Sequence, residues 1–138
     1  MPSYANEIYL TCKSTKSKVF IKDTHLGTYN PNTGFYEEEK NIKENQSFVL
    51  NVFLNREMNI ASIDGKKGDF NFTEDFISIR IPPEKKGEIK NMKINRSDLI
   101  FIYFSNYPLG ELNGISSNHI INASGKCTKS KKAKGSAI

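Results

Sequence analysis

The sequence predicts an all-β chain: an antiparallel barrel or sandwich of about eight strands, with its first and last strands joined by a disulfide. Three observations carry this. Short apolar/polar alternations recur along the chain, separated by turn signals roughly every 8–15 residues. No segment sustains the 3.6-residue period of an amphipathic helix. The two cysteines, Cys12 and Cys127, stand near opposite ends of the chain, each in strand-like surroundings.

The elements follow in order. Ile8, Leu10 and Cys12 alternate with Tyr9, Thr11 and Lys13, which is the pattern of a half-buried strand. "STKS" (14–17) is expected as a hairpin loop, and "SKVFIKD" (17–23) as the second strand. "HLGTYNPNTGFY" (25–36) is rich in Gly, Asn and Pro and is expected as an exposed turn or loop. "EEEKNIKEN" (37–45) has only Ile42 to anchor it and reads as a helical turn or a solvated loop. "QSFVLNVFLN" (46–55) is the clearest central strand, and "EMNIASI" follows it. "DGKKGD" (64–69) is a turn signal, because Asp-Gly is a favoured hairpin dipeptide. "DFISIRI" alternates through Ile77, Ile79 and Ile81 until Pro82-Pro83 ends it, since proline cannot donate to a ladder. "EIKNMKINR" sets Lys90, Met92 and Ile94 on one face. "DLIFIYF" (98–104) is continuously apolar, so both its faces are expected to be covered. "SNYPLGELNG" reads as a loop, and "ISSNHIINASGKC" as the closing strand.

These elements make one domain over residues 6–127, in a chain of 138. Ser3-Tyr4-Ala5 fits the small-x-small site of signal-peptide cleavage, so residues 1–5 are read as a signal-peptide remnant. From 128 to 138 apolar patterning stops, and a disordered basic tail is expected. The net charge of +5 belongs to that end: Lys126, Lys129, Lys131, Lys132 and Lys134 meet no acid there, and the rest of the chain is neutral. The expected Cys12–Cys127 bond requires an oxidising compartment, which places the chain in the periplasm or outside the cell. Closing so long a loop would contribute about 4–5 kcal/mol in the chain-entropy model. The longest apolar run is far short of the ~20 residues a membrane helix needs, so no transmembrane segment is expected.

Signals for catalysis are weak. His25, His119, Cys12 and Cys127 lack metal-ligand spacing, so no metal and no cofactor is expected. No serine sits in a nucleophile-elbow setting. The acid pairs Asp64/Asp69 and Glu74/Asp75 flank turns, where solubility explains them. "GKKGDF" and "EKKGE" match no phosphate loop and read as hairpin turns. The expectation is therefore a non-enzyme. Bulky Phe48, Phe53, Phe76 and Phe101 argue for a filled interior over a hollow one. Candidate ligand-binding residues are Arg96, Tyr103 and Tyr107. Lys129, Lys131, Lys132 and Lys134 are candidates for contact with an anionic surface. Nucleic acid is an unlikely partner, because the tail has no aromatic residue for stacking.

The skeleton "IYLTCK … IKNMKINR … ASGKC" resembles uncharacterised small exported bacterial β-barrel proteins. Those carry an L-x-C strand, a late I-x-I-N/D-R strand and a terminal G-x-C. Ser97-Asp98 follows the arginine here, where those proteins often continue into Thr-Gly. More loosely, the layout looks like the periplasmic lysozyme-inhibitor barrels, whose inhibitory segment is Ser-Ala-Ser-Gly. The nearest match, Asn122 to Gly125, falls on the closing strand. Three functional expectations result. The first is a secreted or periplasmic binding module for a small molecule, glycan or protein. The second is an inhibitor of a cell-wall hydrolase, and the third is a binder of anionic surfaces or nucleic acid through the lysine tail.

Overall fold

The structure, a computed structural model, describes residues 7–130, the side chains of 26 and 27 excepted. Nine strands form one antiparallel sheet: β1 (Glu7–Asn30), β2 (Phe35–Glu44), β3 (Val49–Asn55), β4 (Ile60–Ile63), β5 (Lys66–Phe72), β6 (Phe76–Ile81), β7 (Ile89–Asn95), β8 (Ile100–Leu112) and β9 (Ile115–Lys129). Strands β3 to β9 pair each with the next in an up-and-down meander, and β9 returns to pair with β1. Since β1 also pairs with β3, eight strands close into a barrel. Closure leaves no free edge around the wall.

The disulfide lies in this seam. Cys12 and Cys127 are directly opposed in the β1–β9 ladder, with α-carbons 3.9 Å apart, and their sulfurs are bonded. Both are fully buried among Leu10, Leu50, Val52, Leu54, Ala61, Ile63, Ile77, Ile79, Ile81, Met92, Ile94 and Phe101. Inward residues alternate with outward ones on every barrel strand, as the pleat requires. The interior is filled. Of the four phenylalanines expected to fill it, only Phe101 is in the core; Phe48, Phe53 and Phe76 are half-buried. Phe76 lies outward beneath the Lys93 ammonium, 4.0 Å from its ring centre. Isoleucine and leucine supply the volume instead, because they alternate in phase with the inward pleat.

The strand count agrees with expectation, but the strands are not the same ones. The expected first and second strands are halves of β1. Between them Ser14 and Lys16 flank a bulge that accommodates Thr15, where a hairpin loop was expected. At this point one edge of β1 exchanges partners, from β3 (residues 7–13) to β2 (residues 18–30). Ser14 and Ser17 hold the crossing: both hydroxyls donate to the Gln46 carbonyl, at 3.1 and 2.8 Å, and Ser14 Oγ accepts the Phe48 N–H at 2.8 Å. The eighth barrel strand is β5, which begins inside the segment read as a turn (64–69) and runs past it to Phe72. Only Asp64 and Gly65 turn, both with positive φ (49° and 83°), as a two-residue hairpin of this type demands.

Beyond the bulge, β2, β1, β9 and β8 continue as a four-stranded arm. The segment expected to be helical or looped, 37–45, is strand down to Glu44. Cross-strand ion pairs support it where apolar alternation is absent: Lys18–Glu39 at 2.7 Å, Lys22–Glu37 at 3.1 Å and Lys40–Asp23 at 2.9 Å. A charged outer strand also discourages pairing with other chains. Likewise β8 runs through the expected loop to Leu112, and β9 runs to Lys129, two residues past the expected boundary. Thr128 and Lys129 pair with Thr11 and Leu10. The expected coverage of both faces of β8 does not occur. Ile100 and Ile102 point outward and are 50 % and 62 % exposed, because among the described residues no second layer packs on the barrel wall.

Candidate functional site

The most distinctive surface is the end of the arm. The β1–β9 ladder stops at Thr24–Ser116, so from there on β1 pairs with β2 alone among the described residues, and residues 25–36 project as a two-stranded hairpin. Its turn is locally encoded. Pro31 presets the first turn position, Asn30 Oδ1 accepts the Asn32 N–H at 2.9 Å, and the Asn30 carbonyl accepts the Gly34 N–H at 2.8 Å. Gly34 takes the left-handed conformation (φ 79°) that returns the chain. Glu37 ties the base: its carboxylate accepts from Asn30 Nδ2 (3.1 Å) and Thr33 Oγ1 (2.9 Å) and pairs with Lys22.

Four rings decorate this hairpin. Tyr29 and Tyr36 oppose each other on one face, with ring centres 5.3 Å apart. On the other side His25 meets Phe35 edge to face, also at 5.3 Å. Tyr29, Phe35 and Tyr36 are 51 %, 47 % and 55 % exposed. Cross-strand aromatic pairs stabilise a hairpin, yet rings on both faces cannot all be buried against the molecule's own sheet. The sequence-based reading placed this segment on the surface but proposed none of its residues as a site. The available signal was its composition of Tyr, Phe and Asn with short polar residues, which also marks binding loops.

A buried carboxylate, Asp23, and a half-buried one, Glu37, brace the arm. Asp23 accepts from Ser117 Oγ at 2.6 Å and pairs with Lys40, linking β1, β9 and β2. The Ser117 hydrogen bond, then Lys40, hold its carboxyl below the usual range. Burial alone would raise Glu37, but its bonds from Asn30, Lys22 and Thr33 outweigh that and lower it. A carboxylate depressed in the fold contributes stability above its unfolded pKa and loses it as pH falls through the folded value. The arm is therefore expected to loosen below about pH 4, with amide exchange in 18–44 rising before exchange in β6 and β7. Asp23→Asn should flatten this acid limb; an unchanged limb would contradict the assignment.

The candidate residues named from sequence do not converge. Tyr103 faces inward at the barrel mouth nearest the arm, half-buried, with its phenol pushed up by burial. Tyr107 lies further along β8, with Lys85 Nζ 5.2 Å from its ring centre. Arg96 is at the opposite end of the barrel. It stacks on Phe72 (4.3 Å) and donates to the Thr73 carbonyl at 2.6 Å, closing the β5–β6 turn. Arg56 covers the same ring at 4.1 Å. Lys129 is exposed at the end of β9; Lys131, Lys132 and Lys134 lie outside the described residues, as do residues 1–5. Asn122 to Gly125 is held within β9 between β1 and β8, with Ala123 and Gly125 buried. It presents no insertion loop. Among the described residues no three His, Cys, Asp or Glu side chains converge as a metal site, and no helix is long and apolar enough to cross a membrane.

No protein-family model matches the chain, and neither a curated protein nor a solved structure matches it. What stands is a disulfide-bonded eight-stranded antiparallel barrel with a projecting arm. The bond is compatible with an oxidising, exported location.

Proposed function

We propose that this chain is an exported, non-enzymatic binding module that recognises a protein partner by inserting hairpin 25–36 into a cleft. The observation that carries this is the placement of Tyr29/Tyr36 and His25/Phe35 on opposite faces of a hairpin that no other strand among the described residues covers. A flat partner could cover one face only, whereas a cleft has two walls. Tyrosine and phenylalanine supply contact area at small entropic cost, and the neighbouring Asn30, Asn32 and Thr33 supply short polar groups. The filled interior speaks against a ligand held inside the barrel. Inhibition of a cell-wall hydrolase is the special case in which the cleft belongs to an enzyme; the two-faced hairpin favours it, and the Asn122–Gly125 segment, held within β9, does not contribute.

The test is site-specific photo-crosslinking in cells that express the chain. A crosslinker at Tyr36 should give a discrete protein adduct, while one at Arg80 on the barrel wall should not. Tyr29→Ser/Tyr36→Ser should weaken capture more than tenfold, as loss of aromatic anchors does, without a change in thermal midpoint. Equal adducts at both positions, or none at Tyr36, would refute the reading.

A further inference from the structure

The barrel interior is apolar in all but its last layer. Lys90 shares inward parity with Met92 and Ile94 on β7, and Lys66 shares it with Phe70 and Phe72 on β5. These two lysines and Tyr103 form the rim of a recess of about 120 Å³, floored by Ile63 and Ile81 and flanked by Asp64. Both amines line this one recess. Among the described residues neither has a carboxylate within 4.0 Å. Lys90 is half-buried over an apolar floor and Lys66 stands exposed at the same recess; without a contacting carboxylate, the two like charges repel each other.

We infer that this recess is a binding site for a small oxyanion, bridged by the Lys66 and Lys90 ammoniums with the Tyr103 hydroxyl as a third donor. Lysine ammoniums are point charges with three donors each, suited to phosphate, sulfate or carboxylate oxygens. The acids facing the recess are Asp64, Glu84 and Glu88. Asp64 Oδ1 is engaged by the Asn51 N–H at 2.8 Å. Glu84 and Glu88 act on the lysines through space, raising both. Burial, then Lys66, push the Lys90 amine down. An incoming anion would restore its charge, so binding should weaken as pH rises through the lowered Lys90 value. This site is independent of the hairpin and stands or falls separately.

The experiment is a thermal-shift and ¹H–¹⁵N NMR titration of the whole protein with inorganic phosphate, sulfate and acetate. Sodium chloride at matched ionic strength is the reference. Phosphate at tenfold its Kd should raise the midpoint by about 5 °C and shift the amides of 64–66, 90 and 103. Lys66→Met and Lys90→Met, which keep the stem and remove the charge, should each abolish the shift, whereas Glu88→Gln should tighten binding several-fold. Phenyl phosphate distinguishes the sources. Binding at least as tight as phosphate marks the acidic end of a larger ligand, and exclusion marks a free anion. A response no larger than that to chloride, or one retained by Lys90→Met, would overturn the inference.

Discussion

Removing the Cys12–Cys127 crosslink is expected to cost about 4–5 kcal/mol and to lower the thermal midpoint by about 15 °C or more. The sulfurs close a loop with a sequence separation of 115 residues, so most of the chain gains freedom in the unfolded state when the bond is cut. They also lie in the ladder between β1 and β9, which joins the first and last strands of the described residues. Without the bond, that seam depends on its hydrogen bonds and on the packing of residues such as Leu10, Phe20, Ile120 and Ala123. Urea unfolding of the parent with and without reductant measures the effect. Cys12→Ala/Cys127→Ala should match the reduced parent and ignore reductant. A reduced protein within 1 kcal/mol of the oxidised one would show that the crosslink does not hold the barrel closed.

Gly125→Ala should rival this loss through a different mechanism. Gly125 faces Ser14 in the same seam, beside the bulge. A β-carbon there would lie 2.8 Å from Ser14 Cα and would collide with the Lys13 carbonyl oxygen. These are backbone atoms, so no rotamer change relieves the overlap. The strands would have to separate at the point where the barrel closes. We expect a cost of about 3 kcal/mol or more, with hydrogen exchange accelerated in 10–14 and 123–129 relative to β6 and β7. Retention of parental stability to within 0.5 kcal/mol would mean that β1 and β9 lie further apart than described.

How much of this was legible beforehand depends on what each residue's position rests upon. Ile77, Ile79 and Ile81 alternate because their own strand has a wet and a dry face, so one short window reveals them. Asp64-Gly65 reveals its turn for the same reason: the requirement for positive φ is local. The hairpin at 30–34 was recognisable as a turn, but its flanks were not recognisable as strands. Glu37 to Glu44 has no apolar alternation, and Lys18, Lys22 and Asp23 support it through space. β5 was hidden similarly. Lys66, Lys67 and Asp69 suggested a solvated turn, whereas the inward positions are Gly68, Phe70 and Phe72. At Gly68 an added β-carbon would meet the Arg80 carbonyl at 2.5 Å, so the missing side chain is what lets β6 approach.

The sequence by itself determined the fold class, the crosslinked pair and the core residues of the clearest strands, because alternation and the placement of two cysteines are properties of the chain read in order. Only the tertiary structure decided the partner exchange of β1, the two-faced hairpin and the meeting of Lys66 with Lys90. The partner exchange and the lysine pair depend on residues twenty or more apart that barrel closure brings together, and no local window carries the energy of such contacts; the hairpin's own pairs are close in the chain, but its projection is decided by where the β1–β9 ladder stops.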